Sequence, residues 1–129
     1  MTNPKDLKYT KEHEWVRIKG KVAYVGITDH AQDELGDIVY VEMPEVGRVV
    51  VQGEETSNIE SVKAAAPVYA PVSGTITEVN TALDPSPELI NKSPYESHLF
   101  CIEMSDPSEV DTLMSSTEYT EMLSDDVEE

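Results

Sequence analysis

Short β-type runs separated by turn residues occupy most of this chain and constrain its fold more than any other feature. Residues 14–19 alternate polar and apolar side chains, and residues 22–27 form a second run after the Gly20-Lys21 turn. Alternation of this kind indicates a half-buried strand. Further runs separated by proline, glycine or serine occur at 37–43, 48–52, 56–61, 68–71, 74–80 and 99–104. This pattern predicts a mainly β fold, a small flattened barrel or sandwich.

Helix signals are confined to the connections and the C-terminal part. Thr28 or Asp29 caps a short helix over 30–35, and a brief helical turn is expected near 84–91. Asp106-Pro107-Ser108-Glu109 predicts a helix start in which Glu109 reaches back to the cap, and Ser116 or Thr117 starts a second helix. We therefore expect one domain over 1–123. Its parts are a β core at about 7–104, C-terminal helices at about 107–123, and a separate acidic disordered tail at 124–129.

Composition narrows the classes of function. The 129 residues carry a formal net charge of −17, which disfavours unassisted binding to nucleic acid or to anionic lipid. No apolar run approaches the roughly 18 residues of a membrane span. A single cysteine, Cys101, excludes an internal disulfide. The N-terminus has no apolar core and is not rich in arginine, so we expect a cytoplasmic protein, or a mitochondrial matrix protein if a presequence was removed.

One lysine stands almost alone in an acidic surrounding. Six of the nine basic residues lie in the first 21 positions, and only Arg48, Lys63 and Lys92 follow. Lys63 lies between two β-type runs and precedes three alanines and Pro67. Small neighbours and a sharp connection leave its amine accessible, although most surface lysines are simply solvated charges.

The residues around this lysine resemble those of a known family. Glu60-Ser61-Val62-Lys63-Ala64 is similar to the lipoyl-attachment motif of glycine cleavage system H proteins. The likeness runs from about residue 7 to 123. It includes Tyr9-Thr10-Lys11-Glu12-His13-Glu14-Trp15-Val16, Val25-Gly26-Ile27-Thr28-Asp29-His30-Ala31-Gln32, Leu35-Gly36-Asp37-Ile38-Val39, Pro71-Val72-Ser73-Gly74 and Ser105-Asp106-Pro107. The resemblance implies a barrel-sandwich hybrid fold of the lipoyl-domain type.

The same resemblance implies a function and its site residues. Lys63 would carry lipoate through an amide bond, Glu60 would be read by the lipoate-attaching enzyme, and Glu14 is a candidate contact for the loaded arm. The protein would be a non-catalytic, monomeric carrier in glycine catabolism and one-carbon metabolism. Its partners would be a pyridoxal-phosphate glycine decarboxylase, a folate-dependent aminomethyltransferase and dihydrolipoyl dehydrogenase, with no catalytic residue of its own.

Departures from the family pattern leave alternatives open. Thr56-Ser57-Asn58 replaces a segment with an aromatic residue and a glycine, and His98-Leu99 replaces a Gly-Trp pair. Glu34 stands where an uncharged or histidine side chain would be less repulsive to other acids around the arm. One alternative is a diverged carrier acting in lipoyl transfer or redox chemistry, and another is an unmodified acidic interaction module. His98 and Cys101 are spaced as a metal-ligand pair, but the sequence has no second pair, so we expect no metal site.

Overall fold

The computed structural model describes residues 3–127, with side chains described as far as residue 124, and is built mainly from β-strands. The strands are β1 (Lys8–Tyr9), β2 (Glu14–Lys19), β3 (Val22–Ile27), β4 (Ile38–Glu42), β5 (Val49–Val50), β6 (Glu55–Ser61), β7 (Ala65–Tyr69), β8 (Gly74–Val79) and β9 (Phe100–Met104). A six-stranded sheet has the order β1-β2-β3-β9-β8-β5, and a three-stranded sheet has the order β4-β6-β7. All the pairings are antiparallel. The predicted mainly β fold is confirmed as a sandwich-like pair of separate sheets.

Three α-helices complete this part of the chain: α1 (Asp29–Leu35), α2 (Leu89–Lys92) and α3 (Ser116–Val127). The Thr28 side chain caps α1 by accepting a hydrogen bond from the Ala31 amide, as the sequence predicted. Short 3₁₀ turns occupy Thr81–Leu83 and Pro107–Thr112. Between residues 3 and 127, no helix has the length and apolar character needed to cross a bilayer.

The C-terminal segment agrees with the prediction at the start of α3, which begins at Ser116, and differs from it elsewhere. The helix α3 continues to Val127, so its predicted end at 123 was wrong, and the last two residues of the predicted tail lie outside the described part. Ser115 caps this helix, because its hydroxyl accepts from the Glu118 amide while the Glu118 carboxylate accepts from the Ser115 amide. Glu109 does not reach back to Asp106. Its carboxylate accepts hydrogen bonds from the Ser73 amide at 2.6 Å and the Ser73 hydroxyl at 2.9 Å.

The main core lies between the two sheets and is filled by buried apolar side chains from both. The large sheet contributes Val16, Val25, Ile76, Phe100 and Ile102, and the small sheet contributes Val41, Ile59 and Val68. A fully buried aliphatic or aromatic side chain stabilises the fold by about 1.5–3 kcal/mol relative to an exposed one. These side chains therefore hold the two sheets face to face.

A second, smaller core anchors α3 to the start of the chain. It consists of Leu7, Tyr9, Trp15 and Tyr119. The rings of Tyr9 and Tyr119 stack with centroids 4.8 Å apart. Residue 26 is glycine because the Trp15 ring lies directly against its backbone and leaves no room for a side chain. The helix α3 is thereby held beside the loop that leads into β2.

Candidate functional site

Lys63 lies at the tip of the β6–β7 hairpin, in a turn organised by Ser61. The Ser61 hydroxyl accepts hydrogen bonds from the amides of Lys63 at 3.3 Å and Ala64 at 3.0 Å. The Ser61 amide donates to the Ala64 carbonyl at 2.8 Å and closes the turn. Three residues separate β6 from β7, and the backbone amides of all three are hydrogen-bonded while the Lys63 side chain is exposed. The turn therefore presents a mobile amine on a defined base.

The hairpin tip rests on the end of α1. The Val62 amide donates to the Asp37 carbonyl at 3.0 Å. The Cε atom of Lys63 lies 3.5 Å from the position that a Cβ on Gly36 would occupy, so the lysine stem passes over this glycine. Gly36 has φ 78°, a conformation that glycine adopts readily and that ends the helix. No ion pair of Lys63 occurs with any residue in the described range.

Glu60 lies on the same hairpin as Lys63. It is exposed at the end of β6, where it pairs in register with Tyr40 of β4 and Ala65 of β7. Its position three residues before Lys63 places an accessible carboxylate on the strand that leads into the turn. The ring of Tyr40 is also exposed, to 48%. An enzyme that approached the Lys63 amine would meet Glu60 on the same hairpin and Tyr40 on the neighbouring strand β4.

A cleft beside β7 leads away from the hairpin. Its near part, about 290 Å³, lies between Ala66 of β7 and the α1 residues His30, Glu34 and Leu35. Its far part, about 260 Å³, is lined by Tyr69 of β7 together with Glu14. Glu12 lines both parts and so marks where they meet. We call this surface the β7 cleft.

Glu14 is a buried carboxylate at the far end of the β7 cleft, only 1% exposed. One of its oxygens accepts a hydrogen bond from the Thr10 hydroxyl at 2.9 Å, and the other accepts one from the Tyr69 amide at 2.8 Å. Burial raises the pKa of the Glu14 carboxyl from 4.5 to about 7, although both hydrogen bonds oppose the rise. A carboxyl of this kind is poised to change its protonation state or to pair with a cation.

The three residues expected at the site fall into two groups. Glu60 and Lys63 share the hairpin, whereas Glu14 contacts the other end of β7 through Tyr69. From Ala65 to Tyr69 the strand rises by roughly 13 Å, at about 3.3 Å per residue. The hairpin that carries the amine and the residue that holds the buried carboxylate are therefore about one strand length apart along the backbone, and the two parts of the β7 cleft lie along β7 between them.

Sequence reasoning did not identify the residues that hold the cleft wall opposite β7. His13 has φ 68°, its Nδ1 atom lies 2.8 Å from the Tyr119 hydroxyl, and its ring packs on His30 with centroids 4.6 Å apart. Tyr119 also hydrogen-bonds to Thr28 at 2.8 Å. The two hydrogen bonds of Tyr119 join residues 106 and 91 positions apart, so no local pattern reports them. The serine of the turn, in contrast, follows a familiar side-chain-to-backbone pattern.

Two of the departures from the family pattern lie near the site. Glu34 lines the near part of the β7 cleft, where it adds a carboxylate close to Glu12. Thr56 is buried in β6, and its hydroxyl donates to the Val68 carbonyl at 2.9 Å. The first departure alters the charge of the cleft, and the second is absorbed into the packing of the small sheet.

The fold and the hairpin define a class, that of small two-sheet carrier domains that present a lysine on a tight turn. A profile of the family described as glycine cleavage H-protein matches residues 7–126. The glycine cleavage system H protein of Thermotoga maritima is 61% identical over 115 residues, which cover 88% of this chain and 93% of that protein. H protein 4 of Aquifex aeolicus is 57% identical over 125 residues, covering 96% of this chain and 73% of that protein.

Comparison with solved structures agrees. A crystal structure of a glycine cleavage system H protein from Mycobacterium marinum matches with a TM-score of 0.87 and 37% identity. It covers 95% of this chain and 99% of that one. The chain belongs to the glycine cleavage H-protein family, as the motifs in its sequence indicated.

Replacing Glu14 by glutamine tests whether burial raises the pKa of its carboxyl. The folded protein keeps a proton on Glu14 between about pH 4.5 and 7, where the unfolded chain has released it. Stability due to this group is therefore present below about pH 4.5 and is lost as pH rises to about 7. Glu14→Gln should accordingly gain stability over the parent by about 2–3 kcal/mol between pH 4 and pH 8. Urea unfolding at both pH values measures this difference.

Glu42→Gln is the control, because it removes an exposed carboxylate from β4, a different element from the one that carries Glu14. An equal pH-dependent change in both variants, or none in Glu14→Gln, would contradict the raised pKa.

Proposed function

We propose that this protein is the lipoyl-bearing carrier of the glycine cleavage system, with lipoate joined to the Nζ atom of Lys63 by an amide bond. The observation that carries the proposal is the exposed amine at the tip of a hairpin whose backbone is held by Ser61 and Asp37. Membership of the H-protein family supports it. Acylation removes the positive charge of Lys63 and adds a dithiolane on a longer tether.

The β7 cleft matches the reach of such an arm. An extended chain spans about 1.2 Å per bond, so the roughly twelve bonds from the Lys63 Cα to a dithiolane sulfur reach about 14 Å. This length is close to the distance along β7 from the hairpin to Tyr69. The lysine stem passes over Gly36, which follows Leu35 in the lining of the near part of the cleft. A lipoyl arm laid along β7 would thus bring its sulfur end close to Glu14.

Glu14 suits the cargo of this arm. In glycine cleavage the oxidised arm accepts an aminomethyl group, whose amine is cationic at neutral pH. A cation beside the buried carboxyl favours its ionised form, so the proton held with a pKa of about 7 is released when the loaded arm arrives. We infer that Glu14 holds the amine and keeps it from water while the carrier moves between its partners.

The chain supplies an arm and a docking surface, and its partners supply the chemistry. The glycine decarboxylase loads the arm, the aminomethyltransferase unloads it, dihydrolipoyl dehydrogenase reoxidises it, and a lipoate-attaching enzyme installs it. Tethering replaces free diffusion by a high effective concentration at each active site. The Thermotoga and Aquifex relatives are bacterial, which supports a location in the cytoplasm and lends nothing to a mitochondrial one. We propose that the carrier is monomeric and has no catalytic residue of its own.

Replacing the attachment lysine tests the proposal directly. Lys63→Arg keeps the positive charge and the stem but removes an acylable amine. The variant should fold like the parent, gain no lipoyl mass after expression with lipoate and a ligase, and support no glycine decarboxylation. Intact-mass spectrometry and exchange of labelled carbon dioxide with reconstituted partners measure these outcomes.

Lys92→Arg, on α2, is the control and should remain lipoylated and active. A lipoyl group that persists in Lys63→Arg would disprove the attachment site. Lipoylation of the parent without carbon dioxide exchange would favour the diverged carrier. Full partner binding and activity in Lys63→Arg would favour an unmodified interaction module.

Replacing Glu60 tests its recognition by the lipoate-attaching enzyme. Glu60→Gln should lower the initial rate of lipoylation by about tenfold, because a charge-assisted contact contributes roughly 1.5–3 kcal/mol. The final extent of lipoylation at long times should be unchanged. Glu55→Gln, at the opposite end of β6 and equally exposed, is the matched control. Equal rates for the two variants would remove Glu60 from this role.

Replacing Glu14 tests its contact with the loaded arm. The Glu14→Gln variant should be lipoylated like the parent. Once loaded, it should lose its aminomethyl group to water about tenfold faster than the parent does, since a neutral amide holds the cationic amine less tightly. Release of ammonia from the isolated, loaded carrier measures the lifetime. Glu42→Gln, exposed on β4, is the control. An unchanged lifetime in Glu14→Gln would contradict the contact.

A further inference from the structure

Three side chains with different metal-binding atoms meet on the large sheet. They are Glu78 of β8, Cys101 of β9, and His98 in the segment just before β9. One ligand atom from each lies within 4.8 Å of the other two. The Sγ atom of Cys101 and the Oε1 atom of Glu78 are 3.3 Å apart. We call these residues the β8–β9 cluster.

A shift in strand register creates the cluster. Ile76 pairs with Ile102, so regular pairing would place Thr77 opposite Cys101. The register shifts between Ile76 and Glu78, and Glu78 stands opposite Cys101 instead. Bulges of this kind re-aim side chains at particular positions of a sheet. The shift therefore replaces a hydroxyl by a carboxylate beside the thiol.

The backbone and a neighbouring ring hold His98 in place. The side-chain amide of Asn80 donates to the His98 carbonyl at 2.8 Å, and the backbone amide of Asn80 donates to the Leu99 carbonyl at 2.9 Å. The His98 ring packs edge-on against Tyr24 with centroids 5.2 Å apart. Its Nε2 atom is buried and has no hydrogen-bond partner among the described residues. Most buried nitrogen atoms in proteins have a partner, so this one calls for an explanation.

Cys101 is placed by the alternation of β9. Its neighbours Phe100 and Ile102 belong to the core between the sheets, so its side chain lies on the outer face of the large sheet. Arg17, Tyr24, Cys101 and Glu78 form one cross-strand row on this face. The Arg17 guanidinium is already engaged, because it donates to the Tyr95 carbonyl at 3.0 Å and lies over the Trp15 ring. The exposed carboxylate of Glu78 thus leaves the cluster open to solvent on one side.

We propose that Glu78, His98 and Cys101 bind a divalent transition-metal ion of the Zn²⁺ type. Thiolate, imidazole and carboxylate are the three donor groups that zinc takes in proteins, with bonds of about 2.0–2.3 Å. In a tetrahedral site such bonds place neighbouring ligand atoms roughly 3.3–3.8 Å apart, so side-chain shifts of about 1 Å complete the cluster. Binding releases the Cys101 thiol proton to solvent and leaves the fourth position to a water molecule.

The site is independent of the lipoyl arm. Lys63 belongs to the hairpin of the small sheet, whereas the cluster lies on the outer face of the large sheet. The sequence did not predict this metal site, because metal-ligand motifs are recognised by ligands close together along the chain, whereas Glu78 lies twenty positions before His98. Its contribution depends on the pairing of β8 with β9.

Cobalt binding tests the proposal with a specific readout. Co²⁺ takes the same ligands as Zn²⁺ and reports a thiolate ligand through sulfur-to-metal charge-transfer absorbance in the near ultraviolet. The full chain carrying Lys63→Arg is titrated, so that no lipoyl sulfur is present. We expect one equivalent of Co²⁺ to bind with this absorbance and Zn²⁺ to displace it.

Three variants decide the outcome. Cys101→Ser should abolish the charge-transfer band. Glu78→Gln should keep the band but weaken Co²⁺ binding by roughly tenfold or more, since even outer-shell partners of metal ligands contribute 10–100-fold to metal affinity. Glu103→Gln, an exposed carboxylate two residues after Cys101 on the same strand, is the matched control and should bind as the parent does. If Cys101→Ser fails to fold by circular dichroism, Glu78→Gln decides alone, because Glu78 is exposed.

Two results would overturn the metal site. The first is Co²⁺ binding without the charge-transfer band, which would mean adventitious binding to the acidic surface. The second is equal weakening in Glu78→Gln and Glu103→Gln, which would mean a general effect of carboxylates on this face.

Discussion

The carboxylate of Glu14 joins the two sheets, and the geometry of the site depends on this connection. The residue begins β2 of the large sheet, yet it accepts a hydrogen bond from the Tyr69 amide at the end of β7 in the small sheet. A buried carboxylate is costly unless hydrogen bonds satisfy it. The Thr10 hydroxyl and the Tyr69 amide meet this requirement and in doing so fix the end of β7 beside the loop before β2. The far part of the β7 cleft exists because these two segments are held at this spacing.

The site combines a hairpin turn whose backbone is held by hydrogen bonds with an exposed lysine side chain. The turn around Ser61 is hydrogen-bonded within itself and to the Asp37 carbonyl just after α1, so the backbone at the base of the arm is anchored. The Lys63 side chain is exposed and has no ion pair in the described part of the chain, which leaves it to move between partners. On the other wall, Tyr119 of α3 holds the loop that carries Glu12 and His13. A tail helix distant in sequence thus shapes the path of the arm.

The parts of the site that could be predicted are those with a local signature. A few consecutive residues are enough to recognise Lys63 among small neighbours, Glu60 three positions before it, and the Thr28 cap. The parts that could not be predicted depend on contacts between distant segments. Glu109 satisfies Ser73 rather than its own helix, and its capping role was predicted wrongly because both partners were sought nearby. The raised pKa of Glu14 depends on burial, which a single glutamate at the start of a strand does not reveal.

By itself, the sequence determined the class of most segments, but not the short strand β1 or the 3₁₀ character of Pro107–Thr112. Its period-2 alternation specified strands, its capping residues specified the start of α1, and its motifs specified the family and the exposed lysine. Only the tertiary structure decided how the strands divide between two sheets, how far Lys63 lies from Glu14, and that a register shift brings Glu78 to Cys101 and His98. The physical reason is the sequence distance over which each effect acts. Periodicity and capping act over a few residues, whereas strand pairing and burial are set by the whole chain packing around one core.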